Sequence, residues 1–478
     1  MQPIFAEIPT RIACGYQFEL LKYKQYLERK PMQEEVVIKE EKQEQQAQPE
    51  KLKNVFCYKN FTLAFLGALV SNLGSILYSF AVSFYILALT GNNAFIQGLY
   101  LATGGIVYVL VTLFGGVISD RFHKGKIMFI CDYAKGGMLI GFTLLLMFVI
   151  KDANAKVAIL FVIAVISNII AAIFSPAASS LLPHIVPEKS FQQGQSYYQL
   201  MQSSLGIIGV ILAAVLYSVL DIHLLFFIVG GCYILSGVSE MFIQYNYQKA
   251  EGKLTVKRVF KDIGDGMKYI ATLKPLLFLM FGILLLNFFV SPLTANFLPY
   301  FVATDVASHS YLFNEFLTPE MWSSVIEVAY AVGMIVMAIV LSSRPQKDRI
   351  FKGLSISLVI FAVLYVVLTV IYILFANNLA HINVMLIAFI PIGIAMGMTL
   401  ITINIPISTK MLTIVDKDKL GKVNSVIDVG SQGLIPLSNF LAGLVISGLG
   451  PSWLCIICTL GLVSMTLFLV LNKYVKQL

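Results

Sequence analysis

The chain has 478 residues, of which 58% are hydrophobic and 13% charged, and its mean hydropathy is +0.81. A soluble globule of this length carries about 25% charged residues and cannot hide so much apolar surface, so a polytopic membrane protein is expected. The formal charge of +8 does not indicate a nucleic-acid partner, because its placement follows the membrane topology described below.

Residues 1–53 carry nine Lys/Arg and nine Asp/Glu and are rich in Glu, Gln and Lys, which predicts a largely disordered tail. Met1–Lys30 lacks the uninterrupted apolar core of a signal peptide. Twelve apolar stretches long enough to span a bilayer then follow. They are 61–89, 94–118, 127–150, 155–180, 193–220, 222–246, 275–303, 321–342, 351–376, 383–408, 423–447 and 451–471. Ten Lys/Arg lie in residues 1–60, and only Lys151 and Lys156 fall on the other side of the membrane. The positive-inside rule therefore predicts both termini in the cytoplasm, as in a bacterial inner (cell) membrane.

The expected domains are a tail at 1–53, a six-helix half at 54–247, a linker at 248–274 and a second six-helix half at 275–478. Within the linker, Val256, Val259, Phe260, Ile263, Met267 and Ile270 share one helical face, with Lys257, Arg258, Lys261 and Lys268 elsewhere. That pattern predicts a helix lying on the inner leaflet, with membrane lipids as partners. A weak repeat supports the two halves: Ile185–Gln192 and Ile414–Gly421 each follow the fourth stretch of a half, at an offset of 229, and Ser196 matches Ser425. Parallel halves meeting at a central cavity are a transporter architecture.

After the second stretch the chain reads Gly115-Gly-Val-Ile-Ser-Asp-Arg-Phe-His-Lys-Gly-Lys126. This resembles the G-x-x-x-D-R-x-x-R/K-x-K signature of the major facilitator superfamily, with Gly116, Asp120, Arg121, Lys124 and Lys126 on its positions. Further likeness is to the branch that includes macrolide-efflux proteins and an enterobactin exporter. It is carried by Leu89-Thr-Gly-Asn92, Phe174-Ser-Pro176, the Leu-Pro-x-x-Val-Pro run at 182–187 and Phe260-Lys-Asp-x-x-x-Gly266-x-x-Tyr269. The resemblance covers about residues 54–475. It implies the major facilitator fold: an all-α membrane protein of twelve transmembrane helices in two pseudo-symmetric six-helix halves. It also implies a monomer, and a cytoplasmic gate of Gly116, Asp120, Arg121, Lys124 and Lys126. Asp132 and Lys135, three apart on one helix, are placed with the gate as an expected pair. The static alternative is a charge cluster that only stabilises the fold. The second-half loop departs from the signature, with Ser343 where Asp120 stands. The fifth stretch reads Gly209-Val210-Ile-Leu-Ala213-Ala214, without the proline that exporters often carry there.

Ionisable residues deep in a span are costly and point to function. Glu327 and Asp428 qualify as proton-coupling candidates, the alternative being structural hydrogen bonds. Glu240 is expected at the interface. Asn72, Ser75, Tyr78, Gln199, Gln202, Asn287, Tyr330 and Gln432 are candidates for a substrate cavity. No GxxxxGK[ST] loop or HExxH motif is present, so neither an enzyme nor a metal or other cofactor is expected. Cys455 and Cys458, although spaced CxxC, sit in an apolar run and are expected to pack. The expectation is a proton-driven exporter of small amphipathic compounds. Uptake or movement of a lipid-like solute by the same fold, and a non-transporting sensor or scaffold, are the alternatives.

Overall fold

The polar residues between the apolar stretches cap the helices. Helix α1 (Lys59–Leu89) ends at Thr90, whose amide and hydroxyl both donate to the Ile86 carbonyl. Gly91 and Asn92 follow in the left-handed region, at φ +63° and +62°, which Gly and Asn enter most readily. Asn93 then accepts from the Phe95 and Ile96 amides and starts α2 (Ala94–Arg121). His123, Asp152 and Asp221 cap α3 (Lys124–Phe148), α4 (Ala153–Ser179) and α6 (Ile222–Met241) in the same way. Between α4 and α6 runs α5 (Phe191–Val219). In this computed structural model the described residues are 54–187, 190–245, 256–342, 350–415 and 432–477.

Helix α7 (Val256–Thr272) lies within the expected linker. Of its apolar face, Ile270 is fully buried against Leu276 and Val415, while Met267 is exposed. The side chains of Val256, Val259, Phe260 and Ile263 lie outside the description. Helix α8 spans Lys274–Val306. Beyond Pro292 it widens into two π turns, Leu293–Phe297 and Val302–Val306, on either side of Leu298–Phe301. Pro292 and Pro299 supply no amide donor, and the wider turns are how the helix continues past them. Then come α9 (Pro319–Ser342), α10 (Phe351–Ala376), α11 (Ile382–Ile414), α12 (Ile435–Leu449) and α13 (Pro451–Leu471). Helix α11 runs past its expected end at 408 even though Pro391 and Pro406 lie within it. Among the described residues eleven helices are long and apolar enough to cross a bilayer, and α12 is a shorter apolar helix. The expected eleventh stretch begins at 423, and residues 416–431 lie outside the described ones, Asp428 among them.

The architecture is an all-α membrane fold of two six-helix halves. In the first, α3 and α1 pack on α6, α2 on α4, and α1 on α5. In the second, α9 and α10 pack on α11, and α10 and α8 on α13. Large apolar side chains such as Phe148, Val219, Leu374 and Leu460 are exposed on the outside, where lipid replaces water as their solvent. Cys455 and Cys458 are buried free thiols.

The halves meet through α2 on α12 and α5 on α9. The end of the bundle where α1 begins is termed proximal, and the other distal. Among the described residues the contacts that join the halves gather toward the distal end. A Cβ at Gly98 would come within 2.8 Å of the Gly443 Cα, so these helices cross backbone to backbone. Phe95 and Phe440 pack beside that crossing, and the Asn92 side-chain amide donates to the Ala303 carbonyl at 3.4 Å.

Candidate functional site

Between the halves lies a cavity of about 860 Å³. Helix α1 contributes Ile76 to its wall, and α5 contributes Gln202, Ser203, Gly206 and Val210. The rest comes mostly from α8–α11, including Phe297, Glu327, Tyr330, Tyr365, Tyr372 and Phe389. A mostly apolar and aromatic wall with a few polar groups is the composition of a small-molecule pocket.

Glu327 reaches this space because α9 is held against α11 by glycine. A Cβ at Gly333 would lie 2.0 Å from the Ile394 carbonyl oxygen, and one at Gly397 would lie 2.0 Å from that of Tyr330. The two backbones touch and the rotation of α9 is fixed, with Glu327 and Tyr330 on the cavity side. Glu327 is accessible through the cavity although it lies in mid-span. One turn toward the distal end, the buried Ser324 hydroxyl donates to the Val210 carbonyl at 3.1 Å and closes α9 on α5. Toward the proximal end, Phe191, Gln195, Ser196 and Gln199 line a second space of about 450 Å³. Gln195, Gln199 and Gln202 fall at i, i+4 and i+7 on α5, so one polar stripe connects the second space to the first.

The expected cavity residues divide. Gln202, Tyr330 and Glu327 line the main cavity, and Gln199 lines the second space. Asn72 stands behind Gln202, accepting from its side-chain amide at 3.4 Å. Ser75 and Tyr78 do not face the cavity. Their hydroxyls bond those of Tyr233 at 2.9 Å and Tyr100 at 3.2 Å, tying α1 to α6 and α2. Asn287 is half-buried and Gln432 exposed, and neither lines the cavity. On α12, the Asn439 side chain turns toward α8 and accepts from Ser291 at 3.1 Å and Asn296 at 3.0 Å.

The expected gate residues lie where α2 meets α3. Gly116, Asp120 and Arg121 fall in the last turns of α2, and their side chains lie outside the description. Lys124 is buried and donates from Nζ to the Ser119 carbonyl at 3.3 Å, while Lys126 is exposed. The His123 Nδ1 accepts from the Lys126 amide at 3.3 Å. Burial, then the nearby Lys126 charge, hold the His123 imidazole below its ordinary pKa. Asp132 and Lys135 do not form the expected ion pair. The Lys135 ammonium sits over the Tyr233 ring, 4.3 Å from its centre, and Asp132 turns inward toward α6. Glu240 is not interfacial but wholly buried, because α1 and α3 both close over the end of α6.

Two features escape sequence reading. Tyr365 and Tyr372 supply aromatic wall from α10, a helix apolar all round whose sequence does not mark a cavity side. Asp305, in the second π turn of α8, accepts from the Tyr372 hydroxyl at 3.2 Å, so a further carboxylate stands behind the cavity wall.

Residues 64–438 match the family model described as Major Facilitator Superfamily. The uncharacterized MFS-type transporter YkuC of Bacillus subtilis (strain 168) is 26% identical over 387 residues, covering 78% of this chain and 83% of its own. Macrolide efflux protein A of Streptococcus pyogenes is 24% identical over 294 residues, covering 59% and 67%. Among solved structures, a bacterial homologue of the iron transporter ferroportin in an inward-facing state superposes with a TM-score of 0.61 at 15% identity, over 85% of this chain and 98% of that one. A D-xylose–proton symporter gives a TM-score of 0.63 at 12% identity, over 87% and 97%. At these identities the solved structures speak for the fold alone.

Proposed function

The chain belongs to the Major Facilitator Superfamily, and from that premise we propose that it exports small, amphipathic, weakly charged compounds by alternating access, driven by protons moving inward. One observation carries this reading: the Glu327 carboxylate stands in a cavity whose wall is otherwise mostly apolar and aromatic. Such a wall accepts rings and aliphatic groups without specific hydrogen bonds, and a carboxylate there can exchange a proton or meet a cationic group on the substrate. Similarity to a macrolide efflux protein supports export over uptake. The distal closure at Gly98–Gly443 and Ser324–Val210, with the α5 stripe of glutamines beyond it, supports a cavity loaded from the proximal side.

In this reading the protein works as a monomer in the inner membrane with both termini cytoplasmic. Halves 54–247 and 275–478 move about the 248–274 linker, and 1–53 is a tail. Gly116, Asp120, Arg121, Lys124 and Lys126 form the gate at the cytoplasmic face, and Asp428 is a second coupling carboxylate. The test is energised accumulation of a dye, macrolide and siderophore panel in a pump-deficient bacterial host. Wild type is expected to lower accumulation of at least one amphipathic compound until an uncoupler is added, and Glu327→Gln, at matched expression, to lose that effect. An unchanged Glu327→Gln removes the coupling role, and a panel in which nothing moves removes the export reading.

A further inference from the structure

Away from the cavity, α1, α3 and α6 enclose two carboxylates that the export reading leaves without a task. Glu240 is 0% exposed and Asp132 3%. Both Glu240 oxygens and Asp132 Oδ2 lack a hydrogen-bond partner among the described residues. The two side chains lie within electrostatic reach of each other, with the Ser236 hydroxyl beside both. That hydroxyl donates to the Gly67 carbonyl at 2.9 Å and pins α6 to α1. Glu240 has room because residue 67 is glycine: a Cβ there would come within 2.9 Å of Glu240 Cγ. The packing leaves space for a carboxylate and offers it no fixed partner.

Charge counting points to the missing partner. Helix α3 presents Cys131, Asp132, Tyr133 and Lys135, α5 presents Tyr198, and α6 itself adds Tyr233. Helix α1 has no titratable residue between Lys59 and Tyr78. Lys135 is the single cation in this set. With both carboxylates ionised the group carries one net negative charge in a dry interior, which is strongly disfavoured. One proton on either carboxyl group removes that charge, and like charges held near each other in a dry interior favour such uptake.

We propose that Asp132 and Glu240 hold a single exchangeable proton between them, forming a proton-binding site in the wall of the first six helices, separate from Glu327. The site lies close to the proximal end, in the last turn of α6 and the third turns of α1 and α3. The segment after α6 covers it: Ile243 is buried, the Gln244 amide donates to Asn60 Oδ1 at 3.1 Å, and the Tyr245 hydroxyl accepts from the Lys124 amide at 2.9 Å. Lifting this short cover gives the proton a route to bulk water. Loss of the proton leaves an uncompensated charge between three helices and favours any arrangement that hydrates it. The site goes beyond the export reading and does not depend on it.

The test is infrared spectroscopy of the full-length protein in lipid nanodiscs, following the protonated carboxylic-acid band from neutral to mildly alkaline pH. The expected wild-type result is a band that disappears on alkalinisation, is missing in both Glu240→Gln and Asp132→Asn, and survives in Glu327→Gln. If Glu240→Gln does not assemble, Asp132→Asn decides alone. A band unchanged in the assembled carboxylate variants, or one that never titrates, overturns the proposal. So does a band that sodium chloride abolishes at constant pH, since the pair would then hold a metal cation. The readout requires no transport, so failure of the export reading leaves it intact.

Discussion

Glu327 looks into an open cavity from a helix seated backbone-to-backbone on α11, whereas Glu240 is closed in by α1, α3 and α6 in a space that one glycine provides. Both are glutamates in apolar helices, and their neighbours decide what each can do. A carboxylate on a cavity can be hydrated, meet a substrate and change partners as the halves move. A carboxylate in the packed wall can exchange only a small ion, and its ionisation state becomes part of what holds the helices together.

Four experiments bear on this contrast, taken from the largest expected effect. The α9–α11 seat is the most sensitive point, because at Gly333 and Gly397 a side chain would meet backbone that cannot rotate away. Gly397→Val is expected to cost about 3 kcal/mol or more from overpacking, read as loss of monodisperse protein by size-exclusion chromatography. A well-behaved variant would mean that α9 is not held as described. Next, Glu240→Ala is expected to lower thermal stability by about 2–3 kcal/mol, since it leaves a void between α1, α3 and α6. Glu327→Ala, opening onto existing space, is expected to leave the melting temperature close to wild type. Equal shifts would erase the distinction between the two sites.

Smaller effects sharpen it. Ser324→Ala removes the bond to Val210 and is expected to cost about 1 kcal/mol. That is about a fivefold shift of population toward distally open arrangements, measurable by distances between spin labels on α5 and α9. The smallest effect belongs to His123, whose folded-state pKa lies below its ordinary value. As pH falls through the ordinary histidine range the unfolded chain takes up a proton that the folded one resists, so stability declines with acidification. Once His123 is protonated, the cap on the Lys126 amide is lost. Hydrogen exchange at Lys126 is expected to quicken below about pH 6 in wild type, and to be fast and less pH-dependent in His123→Ala once corrected for intrinsic exchange.

Much of the fold was legible because hydropathy is local. The spans and a helix in the linker follow from residues close to one another in the chain. Rotation is not local. Ser75 and Tyr78 have the same character as Gln202 and Tyr330, yet they bond to α6 and α2 instead of lining the cavity, because the facing helix determines where a polar side chain goes. Glu240 looked interfacial from its place near a helix end. Its burial depends on Gly67, which is 173 residues away. Small residues at Gly67, Ser71 and Ser236 were the available signal that α1 and α6 come close together. The two π turns of α8 left no trace beyond Pro292 and Pro299.

The glycine contact between α2 and α12 also sets a mechanical advantage. Gly98 lies near one end of α2 and Arg121 at the other. At ~1.5 Å per residue the arm between them is ~35 Å long, so a tilt of ~10° about the contact swings the Arg121 end through ~6 Å. That is close to the breadth of an aromatic ring. Gly98 and Gly443 put no side chain into the crossing itself, so in the alternating-access reading proposed above such a tilt would leave Phe95 and Phe440 as the ring contact to be repacked at the fulcrum.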